Sequence, residues 1–146
     1  MKQYTLGFIF DKSIQKVLLV HKLSPPWQNG LINGIGGKIE KGEDSNTCIV
    51  RETFEESRLK TLKKLWIYLG VIQAPMWKVE VFSYVYSGLL KDASTRGKEK
   101  IEWFKVNKIP LNIVSNLNWL IPYAIDKFVD KELQSFQVNY IEGIKS

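Results

Sequence analysis

Sulfur and imidazole are nearly missing from this chain: its 146 residues include one cysteine, Cys48, and one histidine, His21. An intramolecular disulfide is excluded, and so is a zinc site built on cysteines or on clustered histidines. Any resident metal must be held by oxygen, which favours Mg²⁺, Mn²⁺ or Ca²⁺. Long apolar runs are missing too. The longest, Leu65 to Ile72, is far below the roughly 20 residues of a membrane-spanning helix. Met1-Lys2-Gln3-Tyr4 leads straight into strand-like sequence rather than a signal peptide. No linker, repeat or low-complexity tract interrupts the chain. These absences predict a single soluble domain over residues 1–146, in a reducing cytoplasmic setting and with no membrane partner.

What is present is a globular composition, 45% hydrophobic and 25% charged, which excludes disorder along the whole chain. The formal charge of +6 suits an anionic partner, and nucleotide phosphates, nucleic acid and plain solubility all agree with it.

Tyr4 to Phe10 is rich in β-formers and stops at Asp11-Lys12-Ser13; Gln15 to Leu23 carries the buried-strand run Val17-Leu18-Leu19-Val20. The two predict a hairpin. Ser24 to Gly30 is a loop, and Leu31 to Glu40 reads as short extended pieces bent at glycines. Lys41-Gly42-Glu43-Asp44-Ser45 is a turn feeding a helix from about Ser45 to Ser57, capped by Asp44 or Ser45. Thr47, Val50 and Phe54 fall on one face of it by the i, i+3, i+7 rule, which predicts its apolar stripe. Leu65 to Gln73 and Lys78 to Ser87 predict a second hairpin around Pro75-Met76, and Ile101 to Val106 a further strand. Leu117 to Phe128 predicts a second helix with Pro122 near its first turn, and the tail from Ser135 fits strand or loop. The order predicts an α/β fold, a mixed sheet sandwiched between helices.

The chemistry concentrates in Gly36-Gly37-Lys38-Ile39-Glu40-Lys41-Gly42-Glu43 and Arg51-Glu52-Thr53-Phe54-Glu55-Glu56. On a helix, Glu55 lies about 60° to one side of Glu52 and Glu56 about 40° to the other. The three carboxylates share one arc, which the pattern places opposite Val50 and Phe54. Like charges at these spacings repel by several tenths of a kcal/mol each. A hard divalent cation turns that repulsion into attraction. Gly36 and Gly37 let the backbone approach a metal or phosphate closely. A Glu-rich helix is more often a solvated face, so the spacing outside the helix has to decide.

Gly37, five residues, Glu43, seven residues, Arg51-Glu52, two residues, Glu55-Glu56 resembles the Nudix box, G-x5-E-x7-R-E-U-x-E-E-x-G-U with U aliphatic. Six of its seven fixed letters are present and Leu59 fills the last aliphatic place. Such a match arises by chance in roughly one chain in ten thousand. Thr53 stands where an aliphatic residue is usual, and Arg58 where a glycine usually ends the helix in the left-handed conformation. At Arg58 either that conformation is kept, at about 1 kcal/mol, or the helix exits differently.

The resemblance implies the family's α/β/α sandwich and hydrolysis of a nucleoside diphosphate linked to a group X. The strand leading into the box, Asn33 to Lys38, and the start of the last helix, Asn116 to Pro122, are similar to the oxidised-purine nucleoside triphosphatases of the family. Gly97-Lys98-Glu99 followed by Glu102-Trp103 is similar to the segment supplying a further glutamate in MutT-type members. The implied activity is a Mg²⁺- or Mn²⁺-dependent pyrophosphohydrolase on (d)NTPs, including oxidised purines such as 8-oxo-dGTP, giving NMP and pyrophosphate. By position, Glu52, Glu55, Glu56 and a Gly36 or Gly37 carbonyl would hold the metal. Glu52, Glu56 and Glu99 are the candidate general bases, and Arg51 paired with Glu43 would orient the box.

Asn33, Lys38 and Asn118 are the candidate substrate contacts. An amide offers both donor and acceptor to a purine edge, and Asn33 and Asn118 are expected to grip one base from two sides. Asn33 equally suits backbone pairing, and Asn116 and Asn118 suit helix capping. Trp27, Trp119, His21 and Cys48 read most simply as packing or surface residues. ADP-ribose or dinucleoside polyphosphates are the alternative substrates, and a nucleotide- or RNA-binding domain without turnover is the alternative from another class. Three crowded carboxylates argue against a pure binder, so stable nucleic-acid binding is not expected. No pattern marks a symmetric interface.

Overall fold

Strand β1 (Lys2–Phe10) is the axis of the molecule, and its alternation explains the two layers around it. Leu6, Phe8 and Phe10 point into one buried cluster, while Ile9 belongs to another on the opposite face. In the computed structural model, which describes residues 1–141, β1 is followed by β2 (Lys16–His21), β3 (Ile32–Asn33), β4 (Ile35–Lys38), α1 (Ser45–Ser57), β5 (Ile67–Ala74), β6 (Trp77–Val85), β7 (Ile101–Lys105), α2 (Leu117–Val129) and β8 (Phe136–Asn139). The expected tail beyond Ile141 lies outside the described residues. The eight strands form one mixed sheet in which β1 runs parallel to β6 and β5 parallel to β8, the other pairs being antiparallel. A helix packs on each face, as the sequence predicts.

One edge of β1 is shared. Its C-terminal end pairs with β2 (Ile9↔Leu18, Phe10↔Val17) and its N-terminal part with β4 (Tyr4↔Lys38 to Gly7↔Ile35). The chain between β2 and β4, with β3 paired on β2, therefore diverges from β1 there. That fork, lined by Thr5, Lys22, Asn33, Gly34, Gly36 and Gly37 among others, opens into a cleft of about 960 Å³.

Helix α2 buries Leu117, Leu120, Ile121 and Ala124 on the face carrying Leu6, Phe8 and Phe10. Pro122 is its sixth residue, in the second turn rather than the first, so the Asn118 carbonyl lacks its helical N–H partner. Pro122 is exposed, and the missing bond faces water.

Helix α1 corrects one expectation. Its buried residues are Cys48, Ile49, Thr53 and Ser57; Thr47 and Phe54 are exposed and Val50 only half-buried. The predicted stripe faces outward, with the Arg96 guanidinium over the Phe54 ring at 5.1 Å. The cause is the surface α1 sits on. It lies so close to β1 that a Cβ on Gly7 would stand 2.8 Å from Ile49 Cδ1. A floor of glycines takes small side chains and Ile49 but leaves no depth for a phenyl ring. Asp44 is the cap, accepting the Thr47 N–H at 2.7 Å. At the other end Arg58 keeps the left-handed conformation (φ 65°, ψ 4°), its N–H donating to the Phe54 carbonyl at 2.9 Å.

Candidate active site

The inward arc of α1 carries glutamates as well as small residues. Glu52 and Glu56 lie on that side, half-buried, over the glycines of β4. A Cβ on Gly37 would stand 2.3–2.5 Å from the Glu52 carboxyl atoms, so glycine there is what admits Glu52. A Cβ on Gly36 would stand 2.0 Å from the Thr5 carbonyl oxygen, so glycine there is what lets β4 lie against β1.

The Gly36 N–H favours the charged Glu56 carboxyl, yet the Glu56 Oε2 is buried with no hydrogen-bond partner. Burial, then the neighbouring charge of Glu52, pushes the Glu56 carboxyl up to about 8; Lys22 opposes this and Glu99 adds to it. Burial also raises Glu52, against the pull of Arg51.

Arg51 organises the outer side. Its Nε and Nη2 donate to the two Glu43 oxygens at 2.8 and 2.9 Å, and its Nη1 donates to Glu55 at 2.9 Å. Nη2 also reaches the Lys38 carbonyl at 3.2 Å. This bidentate fork ties the turn before the helix to the helix itself. Hydrogen bonding from Arg51 holds the Glu43 carboxyl down to about 2. Glu55 is exposed and engaged by Arg51 rather than turned toward Glu52 and Glu56. Among the described residues no three Asp, Glu, His or Cys side chains are converged to hold a metal ion. The donor set nevertheless suits a hard divalent cation. It has a buried carboxylate oxygen without a partner and a second carboxylate in a slot that a side chain on Gly37 would fill, at a spacing where both repel.

Glu99, on the loop before β7, is fully engaged. Its Oε1 accepts Lys22 Nζ at 2.9 Å, and its Oε2 accepts the Leu23 and Ser24 N–H groups at 2.7 and 3.2 Å. Lys22, one of 21 lysines and arginines, carries no sequence signal that singles it out. It is nonetheless the cation facing both Glu56 and Glu99, and it lines the cleft.

The substrate candidates separate. Asn33 lines the cleft with its amide already paired, Nδ2 donating to Gln28 at 3.0 Å and Oδ1 accepting the Gly34 N–H at 2.8 Å. Lys38 is exposed at the cleft's rim. Asn118 is not brought to the cleft. It donates to the Ser115 carbonyl at 2.9 Å and faces a separate, smaller hollow along α2 with Val106, Ile109 and Asp126. Asn116 lines the cleft instead, and its Oδ1 is buried without a partner. Two residues along a helix turn the side chain by about 200°, so the two-sided grip on one base fails for the Asn33–Asn118 pair.

Comparison with known proteins bears on the fold and the family. The chain is 26% identical over 98 residues to the methanol dehydrogenase activator of Bacillus methanolicus, covering 66% of this chain and 52% of that protein. It thus spans about half the length of the curated relative it matches. The fold is that of a NUDIX hydrolase from Nitrosomonas europaea (TM-score 0.75, 18% identity, 97% of this chain and 79% of that one). It is also that of the NUDIX domain of Shewanella oneidensis NrtR, solved with ADP ribose (TM-score 0.70, 17% identity, 86% and 87%). No described helix is long and apolar enough to cross a membrane. The NUDIX domain model matches residues 2–122, which span the sheet's fork, the carboxylate helix and the start of α2, and the chain belongs to the NUDIX family.

Proposed function

We propose that this chain is a divalent-cation-dependent pyrophosphohydrolase cleaving a nucleoside diphosphate linked to X, with (d)NTPs, oxidised purines included, as the leading substrate class. The observation that carries it is the Glu56 carboxyl, buried beside Glu52 with one oxygen unpartnered. Burying such a group without a partner costs about 1–3 kcal/mol, more if charged, and nothing in the packing of α1 needs it. Glu52, Glu55, Glu56 and the Gly37 carbonyl would hold Mg²⁺ or Mn²⁺. The ion, when bound, supplies charge neutralisation at the diphosphate oxygens. Glu56 and Glu52, over the glycines of β4, are the candidate groups to take the proton of the attacking water. Arg51 and Glu43 fix the turn that presents Gly37. Asn116, with an unpaired acceptor in the cleft wall, is the candidate base reader. Asn33 and Lys38 line the same cleft, and Asn118 is left out of it.

A second reading, ADP-ribose as substrate, is favoured by the cleft's extent. It runs from Lys22 and Trp27 to Lys2, Trp77 and Tyr140, and the NrtR domain of the same fold was solved with ADP ribose. The test is turnover of a nucleotide panel with Mg²⁺, followed as released pyrophosphate for dGTP, 8-oxo-dGTP, dATP and dCTP and as AMP for ADP-ribose. Excess EDTA should abolish all of it. Undiminished turnover in chelator, or no turnover of any panel member, overturns the proposal; ADP-ribose cleaved faster than every triphosphate selects the second reading.

A further inference from the structure

The contact between Glu99 and the end of β2 joins segments that no local rule connects. β2 and β7 pair antiparallel up to Val20↔Ile101, and the His21 N–H still reaches the Lys100 carbonyl at 2.8 Å. Beyond that the ladder has no further rung. The next N–H groups on that side, those of Leu23 and Ser24, are taken by the Glu99 carboxylate. Its other oxygen takes the Lys22 ammonium. The side chain continues the ladder where the backbone stops. The loop carrying it is itself anchored on α1, by the Ser94 N–H on the Ser57 carbonyl at 2.9 Å and by Arg96 over Phe54. What Glu99 holds in place is the segment whose Ser24, Pro25, Trp27 and Gln28 form one wall of the cleft.

We infer that Glu99 is a positioning residue that latches the Lys22–Ser24 segment and so fixes the cleft wall, and that it does not take the proton from the attacking water. A general base must come within hydrogen-bond reach of the water it deprotonates and have a basicity near the working pH. The Glu99 oxygens already accept three hydrogen bonds, one of them from an ammonium. To reach a water it would have to release Lys22 and both backbone donors together, and the wall beside the substrate would loosen as it did so.

The inference rests on the cleft being the nucleotide site, and its test is built to fail separately from that reading. Hydrogen exchange on the unliganded wild type, Glu99→Gln and Glu99→Ala reads the latch without any substrate. In Glu99→Ala the amides of residues 22–30 should exchange at least about tenfold faster. The β1 and β6 amides should keep wild-type protection, which shows that the variant is folded. Glu99→Gln keeps one acceptor oxygen but sets an amide against Lys22, so its exchange should be intermediate. On the best substrate of the panel, Glu99→Ala should raise KM about tenfold with kcat within about threefold of wild type, and the pH profile of kcat should keep its shape. Unchanged exchange over residues 22–30 in both variants overturns the latch. A kcat loss of about a hundredfold or more at unchanged KM, or a lost limb in the pH profile, overturns it in favour of Glu99 as base. If wild type turns over nothing, the nucleotide reading falls while the exchange result still decides the latch.

Discussion

Neighbouring glycines that look equivalent in sequence should respond in opposite ways to alanine. At Gly37 the added Cβ would lie 2.3 Å from Glu52 Oε1. The shortest ordinary C···O separations are about 3.3 Å, so the carboxyl must retreat by about 1 Å. It is the far end of a flexible side chain, and burial raises its pKa, so it leaves for water readily. Alanine also gains about 0.5–1 kcal/mol over glycine in a strand. The Gly37→Ala protein should therefore melt at or slightly above the wild-type temperature. A displacement of about 1 Å in a group that positions the reaction costs on the order of a hundredfold in rate, so kcat/KM should fall by about that much and the Mg²⁺ requirement should rise to higher concentration. At Gly36 the same methyl meets the Thr5 carbonyl oxygen at 2.0 Å, which is backbone and cannot step aside. β1 and β4 would have to part, and Gly36→Ala should be destabilised by about 2 kcal/mol or more. Thermal melts and Mg²⁺ titrations of both variants decide it. A Gly37→Ala enzyme with wild-type activity and metal dependence, or one as unstable as Gly36→Ala, refutes the reasoning.

Other consequences are checked as directly. Glu56→Gln keeps the shape but removes the carboxyl that would face the cation or take a proton, and should lower kcat by about a hundredfold or more while leaving the fold intact. Because the folded Glu56 pKa is raised to about 8 from the ordinary 4.5, the native state holds a proton that the unfolded state has lost between those values. Wild-type stability in EDTA should thus fall as pH rises through that window, and melts at pH 5 and pH 8 should show this slope flattened in Glu56→Gln. Arg58→Gly relieves the left-handed residue at the end of α1 and should stabilise the protein by about 1 kcal/mol with activity unchanged, read by urea denaturation. Asn116→Ala should cut kcat/KM for the preferred base about tenfold to a hundredfold and flatten the base ranking, whereas Asn118→Ala should leave the ranking as it is.

The parts of the site visible in sequence are those written on one element. Glu52, Glu55 and Glu56 follow from helix spacing, and the Arg51–Glu43 fork from the resemblance to the Nudix box. Most strands and both helices followed from composition and turn chemistry over short windows, whereas the segment that forms β8 fitted strand or loop equally and the buried face of α2 was not predicted. Contacts assembled from distant segments left no such trace. Lys22 and Glu99 are 77 residues apart, and neither residue type is unusual where it stands. Asn116 and Asn118 could be told apart only once the first turn of α2 was fixed against the sheet.

The apolar-stripe rule failed for α1 for a physical reason. The rule assumes that a helix faces a floor deep enough for large side chains. α2 does: its Leu117, Leu120 and Ile121 meet Leu6, Phe8 and Leu19 across an apolar surface. α1 instead faces Gly7 and Gly37, where an added Cβ would run into Ile49 and Glu52 of the helix. At that distance Cys48, Thr53 and Ser57 fill the contact, Ile49 provides its one large apolar anchor, and Phe54 is turned out under Arg96. The remaining inward positions are occupied by Glu52 and Glu56, the least favourable residues for a buried face unless something in the site answers their charge. The glycine pair before the helix and the glutamates on it are thus one device. The glycines exclude an ordinary core, and the carboxylates occupy the space that is left.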